Sequence, residues 1–567
     1  MSAPTATDTC ETQLLTRVLG ALLREDVVGL RSRSALVHRP DGDWLRLPAA
    51  GDALLLPVAG DGYQGEYRAR LPLLARESDA SELTSHEAVL GALRDLAEPE
   101  DRDGFDAFAE ECRQTLDTMR LHARTRDGVM RRLTDRHGHD PAGWPDLAYD
   151  TLAARLDHPV YPTARGRSGL TEAQLQAYAP EFHPRFTLRW LAVPRAAVTV
   201  TGPLPELWPT PALLGLPEVE HTHMALPVHP LTVGAPLDEA LRTTGLAGSA
   251  LLAERAHLEV VPTLSMRTVA VAADPSLHLK LPLATATLGL RNKRSIKPGT
   301  LVDGAAGQRL LEAVIAREPR FRDTILHADE TTYAHAGHEL LAVLCRRHPA
   351  ALRDSVVVPL AALLAEAPGG RLVLDLLADR FHGGDPLALL DAFLTLLFDW
   401  QTTLFGYGIA LESHQQNVSL VLGQGTLRLL FKDNDGPRVN PSRLAAKLPG
   451  PWGFDDPRTF SAGDGPVADL FTTITVHLCA GAYAFGLARH RDELLGLVRD
   501  RLSRAVGRLG GDAGAVLRER VLDAPRLPVK AMVTAGTLLS KERSGATDVN
   551  KHYTTGPNYL LPTGGTA

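Results

Sequence analysis

Residues 406–436, G-Y-G-I-A-L-E-S-H-Q-Q-N-V-S-L-V-L-G-Q-G-T-L-R-L-L-F-K-D-N-D-G, gather Glu412, His414, Gln415, Gln416 and Asn417 into one short polar run. A hairpin-like stretch from Val418 to Phe431, turning at Gly423-Gln424-Gly425, then delivers Lys432, Asp433 and Asp435. A polar loop with an Asn, followed one β-ribbon later by an Asp, can hold Mg²⁺ against nucleotide phosphates. Mg²⁺ is a hard ion that takes one or two protein oxygens and fills its shell with phosphate and water. Protein kinases use a similar local logic, an Asn and an Asp before Gly, although the motif letters here differ.

Further clusters supply donors for anions. In His158-Pro159-Val160-Tyr161-Pro162-Thr163-Ala164-Arg165-Gly166-Arg167-Ser168-Gly169, prolines stiffen a loop, glycines allow close backbone approach, and two arginines add fixed charge. Pro227-Val228-His229-Pro230 clamps a His between prolines, which equally suits a turn residue with a satisfied ring. Ser265-Met266-Arg267-Thr268 sets two hydroxyls around an Arg, a set suited to phosphate oxygens or to a plain strand-entry loop. In H-L-K-L-P-L, alternation places Lys280 among apolar neighbours, an odd position for an ammonium unless it faces a cleft. Thr287 and Arg291 follow; Arg291 is expected to end the strand that Lys280 begins, and Lys293, Arg294 and Lys297 to form a solvated basic turn. The Walker phosphate loop, H-E-x-x-H, C-x-x-C and a Ser-His-Asp order are absent from the sequence. Such a site binds anions and stabilises their transfer; it does not attack a carbonyl with a side-chain nucleophile.

The elements that must position these groups belong to a chain of 567 residues, long enough for two or three cores. A net charge of −7 argues against a nucleic-acid partner. Cys10, Cys112, Cys345 and Cys479 are scattered, so neither a disulfide framework nor a zinc site is expected, and a cytoplasmic location is the natural reading. The polar N-terminus lacks a signal pattern. The segment 386–411 is apolar, but Asp391, Asp399 and Gln401 inside it point to a buried core helix and no membrane span.

Leu14, Leu15, Val18, Leu19 and Leu22 repeat at helical spacing. Residues 26–75 read as a small antiparallel sheet and 80–156 as helical. Strand signals dominate 183–300, residues 308–405 read as largely helical, and helices return from about 466 to 523. The glycine-rich tail after Asn558 is expected to be mobile. The expected fold class is α+β.

The ordered blocks H-P-x-x-P-x-x-R-x-R-x-G, P-V-H-P, S-M-R-T, K-L-P-L…T…R, G-I-A-L-E-x-H-x-Q-N and K-D-x-x-G resemble the IucA/IucC family. These are siderophore synthetases independent of nonribosomal peptide synthetases, and the resemblance covers roughly residues 150–540. It implies a hand-like architecture: an N-terminal thumb (1–156), fingers with an antiparallel sheet (157–305) and a mainly helical palm (306–567). It also implies ATP and Mg²⁺ as cofactors. The implied reaction adenylates a small polycarboxylic acid, citrate or a related one, and condenses it with an amine, a hydroxylamine-bearing polyamine or an alcohol. Dimers are common in that family, so a homodimer is consistent with it.

By motif position, Ser265, Arg267 and Thr268 would bind phosphates, assisted by Lys280, His158 and Arg165. Thr287, Arg291, His414 and Gln416 would face the acid and adenylate. Asn417 and Asp433 would hold metal or nucleotide, with Glu412 orienting the loop. The chain departs from the family pattern in places. Tyr161 and Arg165 stand where a His and a Lys are usual, and Leu231-Thr232 where Trp-Gln is usual. Lys530-Ala531 survives, but Thr537-Leu538 replaces Arg-Leu. These changes bear on the choice of acid and nucleophile, not on adenylation. Two alternatives stay open: a kinase-like phosphotransferase, suggested by Asn417 and Asp433, and a non-catalytic carboxylate or ATP binder.

Overall fold

The computed structural model describes residues 6–545 and 551–561. Helix Ala6–Arg24 buries Leu14, Leu15, Val18, Leu19 and Leu22 completely, as the spacing predicts. That face packs on a six-stranded antiparallel sheet running from Ala35 to Leu83. Helix Arg102–His137 then leaves this core for another. Phe105, Phe108 and Leu116 belong to the N-terminal core, while Val129 and Leu133 enter the large core of the helical half.

A nine-stranded sheet forms the middle of the molecule, and its ladders are antiparallel. The strands His257–Pro262, Thr268–Val271 and Asp274–Lys280 run as neighbours. Two strands from further along the chain extend them, Ala342–Arg347 and Asp329–His335. Residues 308–405 are therefore not largely helical: the helix Pro298–Arg317 is followed by four strands between Ile325 and Pro359 before helices resume. The run Leu341-Ala342-Val343-Leu344-Cys345 is apolar on both strand faces, and such a run carries no period that separates strand from helix. The strand ending at Lys280 does not reach Arg291; residues 281–297 form an irregular loop.

The hairpin Val418–Gly423 and Thr426–Phe431 forms where the alternation predicts it. It sits in a four-stranded sheet beside Val356–Pro359 and, in parallel, Ile325–His327. Helix Pro386–Gly406 packs on it, with Trp400, Phe405 and Leu397 fully buried. Among the described residues, two segments, Pro386–Gly406 and Gly465–Gly486, are long and apolar enough to cross a membrane, and 61% and 94% of their most apolar windows are covered by the protein's own core. The four cysteines are free and buried. Strand Arg526–Lys530 pairs with Tyr553–Pro557, and Asn558 and Leu560, at the start of the tail expected to be mobile, are buried. The tail's glycines, Gly564 and Gly565, lie outside the described residues.

Candidate active site

A cavity of about 360 Å³ lies between the nine-stranded sheet and the helical half. Four loops converge on it: the 157–167 loop, the turn before strand Thr268–Val271, the irregular 287–294 segment, and the two ends of the hairpin. Its wall includes the cations Arg167, Arg267, Arg294 and Lys530, the carboxylates Glu412, Asp433 and Asp435, and the amide of Asn417.

The hairpin explains why Asn417 and Asp433 meet. Val418 pairs with Phe431, so the residues flanking that pair leave the ribbon side by side. The Asn417 carbonyl accepts the Lys432 N–H at 3.0 Å, and Asn417 Nδ2 donates to the Glu412 carbonyl at 3.2 Å. With its NH₂ so engaged, Asn417 keeps Oδ1 as an oxygen ligand.

Asp433 adopts φ 65°, a left-handed conformation that a non-glycine residue holds only where its surroundings enforce it. The enforcing group is Glu330, 1% exposed, on strand Asp329–His335. Its carboxylate accepts the Asp433 N–H at 2.8 Å and the Asn434 N–H at 3.2 Å, and pairs with Arg346. Arg346 and Lys280 in turn donate to Asp433, and Lys280 Nζ lies 3.5 Å from Asp435. Burial alone would raise the Asp433 pKa; Lys280, Arg346 and Arg267 outweigh it and hold the carboxylate far below its usual range. Asp435 goes the other way, pushed up by burial and by the neighbouring Asp433 charge. A hard cation beside both carboxylates and Asn417 Oδ1 would relieve that repulsion, so the donor set fits Mg²⁺.

Both histidines on the wall are neutral hydrogen-bond donors toward the cleft. His158 Nδ1 accepts backbone N–H groups from Val160 (3.3 Å) and Tyr161 (3.1 Å); His414 Nδ1 accepts from Gln416 (3.3 Å). An Nδ1 that accepts carries no proton, so the neutral ring bears it on Nε2. Burial lowers their pKa values to about 3 and about 4. Glu412 is held down at about 2: burial opposes ionisation, but Lys530, 3.0 Å away, and Lys551 outweigh it.

Of the expected site residues, His158, Ser265, Arg267, Thr287, Glu412, His414, Gln416, Asn417 and Asp433 share the cavity wall. Ser265 Oγ accepts the Thr268 N–H at 3.1 Å and lies 3.4 Å from Thr263 Oγ1, whose own proton goes to the Thr268 carbonyl. Arg267 donates to the Ser295 carbonyl at 2.7 Å, and its Nε is buried without a partner. Lys280 and Thr268 stand behind the wall, paired across adjacent strands; Lys280 acts through Asp433. Arg165 also stands back, bound to Asp157 at 2.8 Å.

The basic turn is the reverse of the expectation. Arg294, expected in solvent, lines the cavity, and burial together with Arg267 lowers its pKa to about 9. Arg291, expected to face the acid, is off the wall and donates to the Ala535 carbonyl at 3.3 Å. Pairing of the loop decides this: Arg294 N–H bonds Thr285 O and Leu283 N–H bonds Arg294 O, which folds 294 back over the cleft. His229 lies elsewhere, its Nδ1 accepting the Leu231 N–H and its ring packed on Tyr178 and Phe186. Lys530, Asp435 and Arg294 are among the wall residues to which the motifs gave no role. Two departures from the family pattern converge on one group, because Tyr161 and Thr537 both donate to the half-buried Glu111 at 2.9 Å.

Residues 147–365 match the model of the IucA / IucC family, and residues 388–544 that of the ferric iron reductase FhuF-like transporter family. The rhizobactin siderophore biosynthesis protein RhbC of Rhizobium meliloti is 27% identical over 72% of this chain and 74% of its own. Among solved structures, the petrobactin biosynthesis protein AsbB of Bacillus anthracis superposes with a TM-score of 0.77 at 15% identity, covering 98% of this chain and 96% of that one. ATP-bound aerobactin synthetase IucA of Klebsiella pneumoniae gives 0.72 at 18% identity, over 97% and 100% of the two chains. At such identities the structural likeness speaks for the fold.

Proposed function

This chain belongs to the IucA/IucC family of siderophore synthetases, and from that premise we propose that it is an ATP-dependent carboxylate–amine ligase working through an acyl adenylate. Its substrates are a small polycarboxylic acid, citrate or a related one, and an amine, a hydroxylamine-bearing polyamine or an alcohol. The thumb, fingers and palm of a hand-like chain would close around the cleft. The observation that carries the reading is the joint placement of Arg267, Arg294, Lys530, Asn417, Asp433 and Asp435 on one cavity wall.

A bare carboxylate is a poor electrophile because oxide is a poor leaving group. In the proposed reaction a carboxylate oxygen attacks the α-phosphorus of ATP, the bond to the β-phosphate oxygen breaks, and pyrophosphate leaves. The amine nitrogen then attacks the acyl carbon, loses a proton, and AMP departs with the former carboxylate oxygen. Negative charge builds on the phosphates, and fixed donors aimed there lower the barrier most effectively. Arg267 and Arg294 supply charge, and the Nε2–H groups of His158 and His414 supply neutral donors that do not titrate near neutral pH. Mg²⁺, held by Asn417, Asp433 and Asp435, would neutralise the leaving pyrophosphate. Thr287 and Gln416 are assigned to the acid.

The test is pyrophosphate release by the purified protein over a panel of citrate, 2-oxoglutarate, succinyl-polyamines and related acids. Acid-dependent pyrophosphate supports the reading. A folded sample that releases none with any of them defeats it.

A further inference from the structure

Away from the cleft, the helix Asp146–Ala154 and the central sheet enclose a second polar cluster that the proposed chemistry leaves unused. Asp146 opens the helix, His278 lies in strand Asp274–Lys280, and His348 follows strand Ala342–Arg347. One carboxylate oxygen and one nitrogen from each ring all lie within 4.8 Å of one another. The imidazole centroids are 4.3 Å apart with planes inclined by 53°, and Asp146 Oδ2 is 4.0 Å from His348 Nδ1. His278 is 2% exposed, yet neither ring nitrogen has a partner in hydrogen-bond geometry; the Pro275 carbonyl is merely near enough to act on the ring. His348 Nε2 is likewise buried and unpartnered. Orphaned imidazole nitrogens are expensive to bury, and so many in one place require a reason.

We propose that Asp146, His278 and His348 form a binding site for a borderline divalent metal ion of the zinc class, distinct from the magnesium position in the cleft. Two imidazole nitrogens and one carboxylate oxygen are a ligand set for such an ion, whereas Mg²⁺ prefers oxygen alone. Three protein ligands leave a coordination position open, and a hollow of about 580 Å³ lined by Asp146 and His348 adjoins the cluster.

The surrounding charges permit a cation. Lys432 acts on Asp146, Asp150, His278 and His348 alike, but the two aspartates exceed it by one negative charge. Arg346 also reaches the histidines and is paired with Glu330. His278 sits directly opposite Arg346 in the ladder, two residues before Lys280, so the sheet face that carries the metal cluster also carries the cations that hold Asp433. The ion would tie the helix to that face.

The full-length protein, stripped with a chelator, should take up one equivalent of Zn²⁺ by elemental analysis after dialysis and show visible d–d bands with Co²⁺. Zn²⁺ should raise its Tm. His278→Gln and Asp146→Asn should each weaken Zn²⁺ binding roughly 100-fold or more and abolish the Tm shift, while His414→Gln, in the cleft, should keep the equivalent. If His278→Gln fails to fold, Asp146→Asn at its half-buried position carries the test. Uptake below one equivalent by the wild type, unchanged affinity in both cluster variants, or loss only in His414→Gln would each overturn the site.

Discussion

The Lys280–Asp433 pair sets the electrostatics of the cleft, and Arg267 lines the cavity with a buried Nε that has no partner. Asp433→Ala would remove the closest partner of Lys280, leaving it only Asp435 at 3.5 Å, and would remove a proposed metal ligand. Arg267→Ala would remove a guanidinium whose Nε has no other partner. Each is expected to lower acid-dependent pyrophosphate release by about 10²–10³-fold or more, with far-ultraviolet circular dichroism unchanged. Turnover within a few fold of wild type in either would mean that the site lies elsewhere. Arg294→Ala should damage turnover far more than Arg291→Ala, since only the first lines the cavity; the reverse order in kcat/KM would contradict the geometry. Because burial holds His158 and His414 neutral, with pKa values of about 3 and about 4, neither should contribute an ionisation near pH 6.5 to the pH profile of adenylation. Much of this wall was legible from residue types: Asn417, Asp433, Arg267 and His414 carry chemistry that a short polar run announces. The exchange of Arg291 for Arg294 was not, because the backbone pairing of an irregular loop decides which of two nearby arginines turns inward.

At the level of elements, the hairpin brings Asn417 and Asp433 to the cavity wall and Glu330 fixes how Asp433 arrives. The hairpin was visible in the sequence through its alternation and its Gly-Gln-Gly turn. The strand bearing Glu330 was not, since its partner strand is apolar on both faces and Glu330 itself looks like any surface acid until the fold buries it. Glu330→Ala would remove the closest partner of the buried Arg346 charge and the acceptor of two backbone N–H groups. Removing one partner of a buried pair costs about 3–5 kcal/mol, so the denaturant midpoint should fall markedly. A midpoint equal to wild type would show that the pair does not hold the loop. Helix Pro298–Arg317 supplies a second constraint. A Cβ on Gly307 would come within 2.4 Å of the Asn434 carbonyl, and Gly304 lies against Asp435. Gly307→Ala should therefore shift the 433–435 loop and raise the Mg²⁺ concentration needed for half-maximal turnover; an unchanged Mg²⁺ dependence would contradict that packing.

For the molecule as a whole, the many buried neutral histidines dictate an acid response. His158, His183, His229 and His348 are depressed to about 3, and His327, His414 and His477 to about 4, by burial. Each folded pKa lies below the unfolded value of about 6.5, so each contributes stability that is full above about pH 6.5 and is lost as the pH falls. Asp146, raised to about 6, and the likewise raised Glu25, Asp61, Glu111, Asp150, Asp303, Asp435 and Asp469 act in the opposite sense. With His86, His122, His137, His278, His335, His382 and His552 also depressed, the histidines outnumber them between about pH 7 and 5.5. The urea midpoint should drop across that window, and a flat or rising midpoint would contradict the burial pattern. The α+β layering and the core helix Pro386–Gly406 were legible in composition and period, whereas the cleft between sheet and helices arises from pairings far apart in the chain, such as Lys280 with Asp433, 153 residues away. The central claim is that this cleft joins an acid to AMP before an amine displaces it. It is tested most directly with an acid labelled with ¹⁸O in its carboxylate, followed by mass analysis of the nucleotide and phosphate products. The account predicts one ¹⁸O in AMP and unlabelled pyrophosphate; label in inorganic phosphate alongside ADP would contradict it.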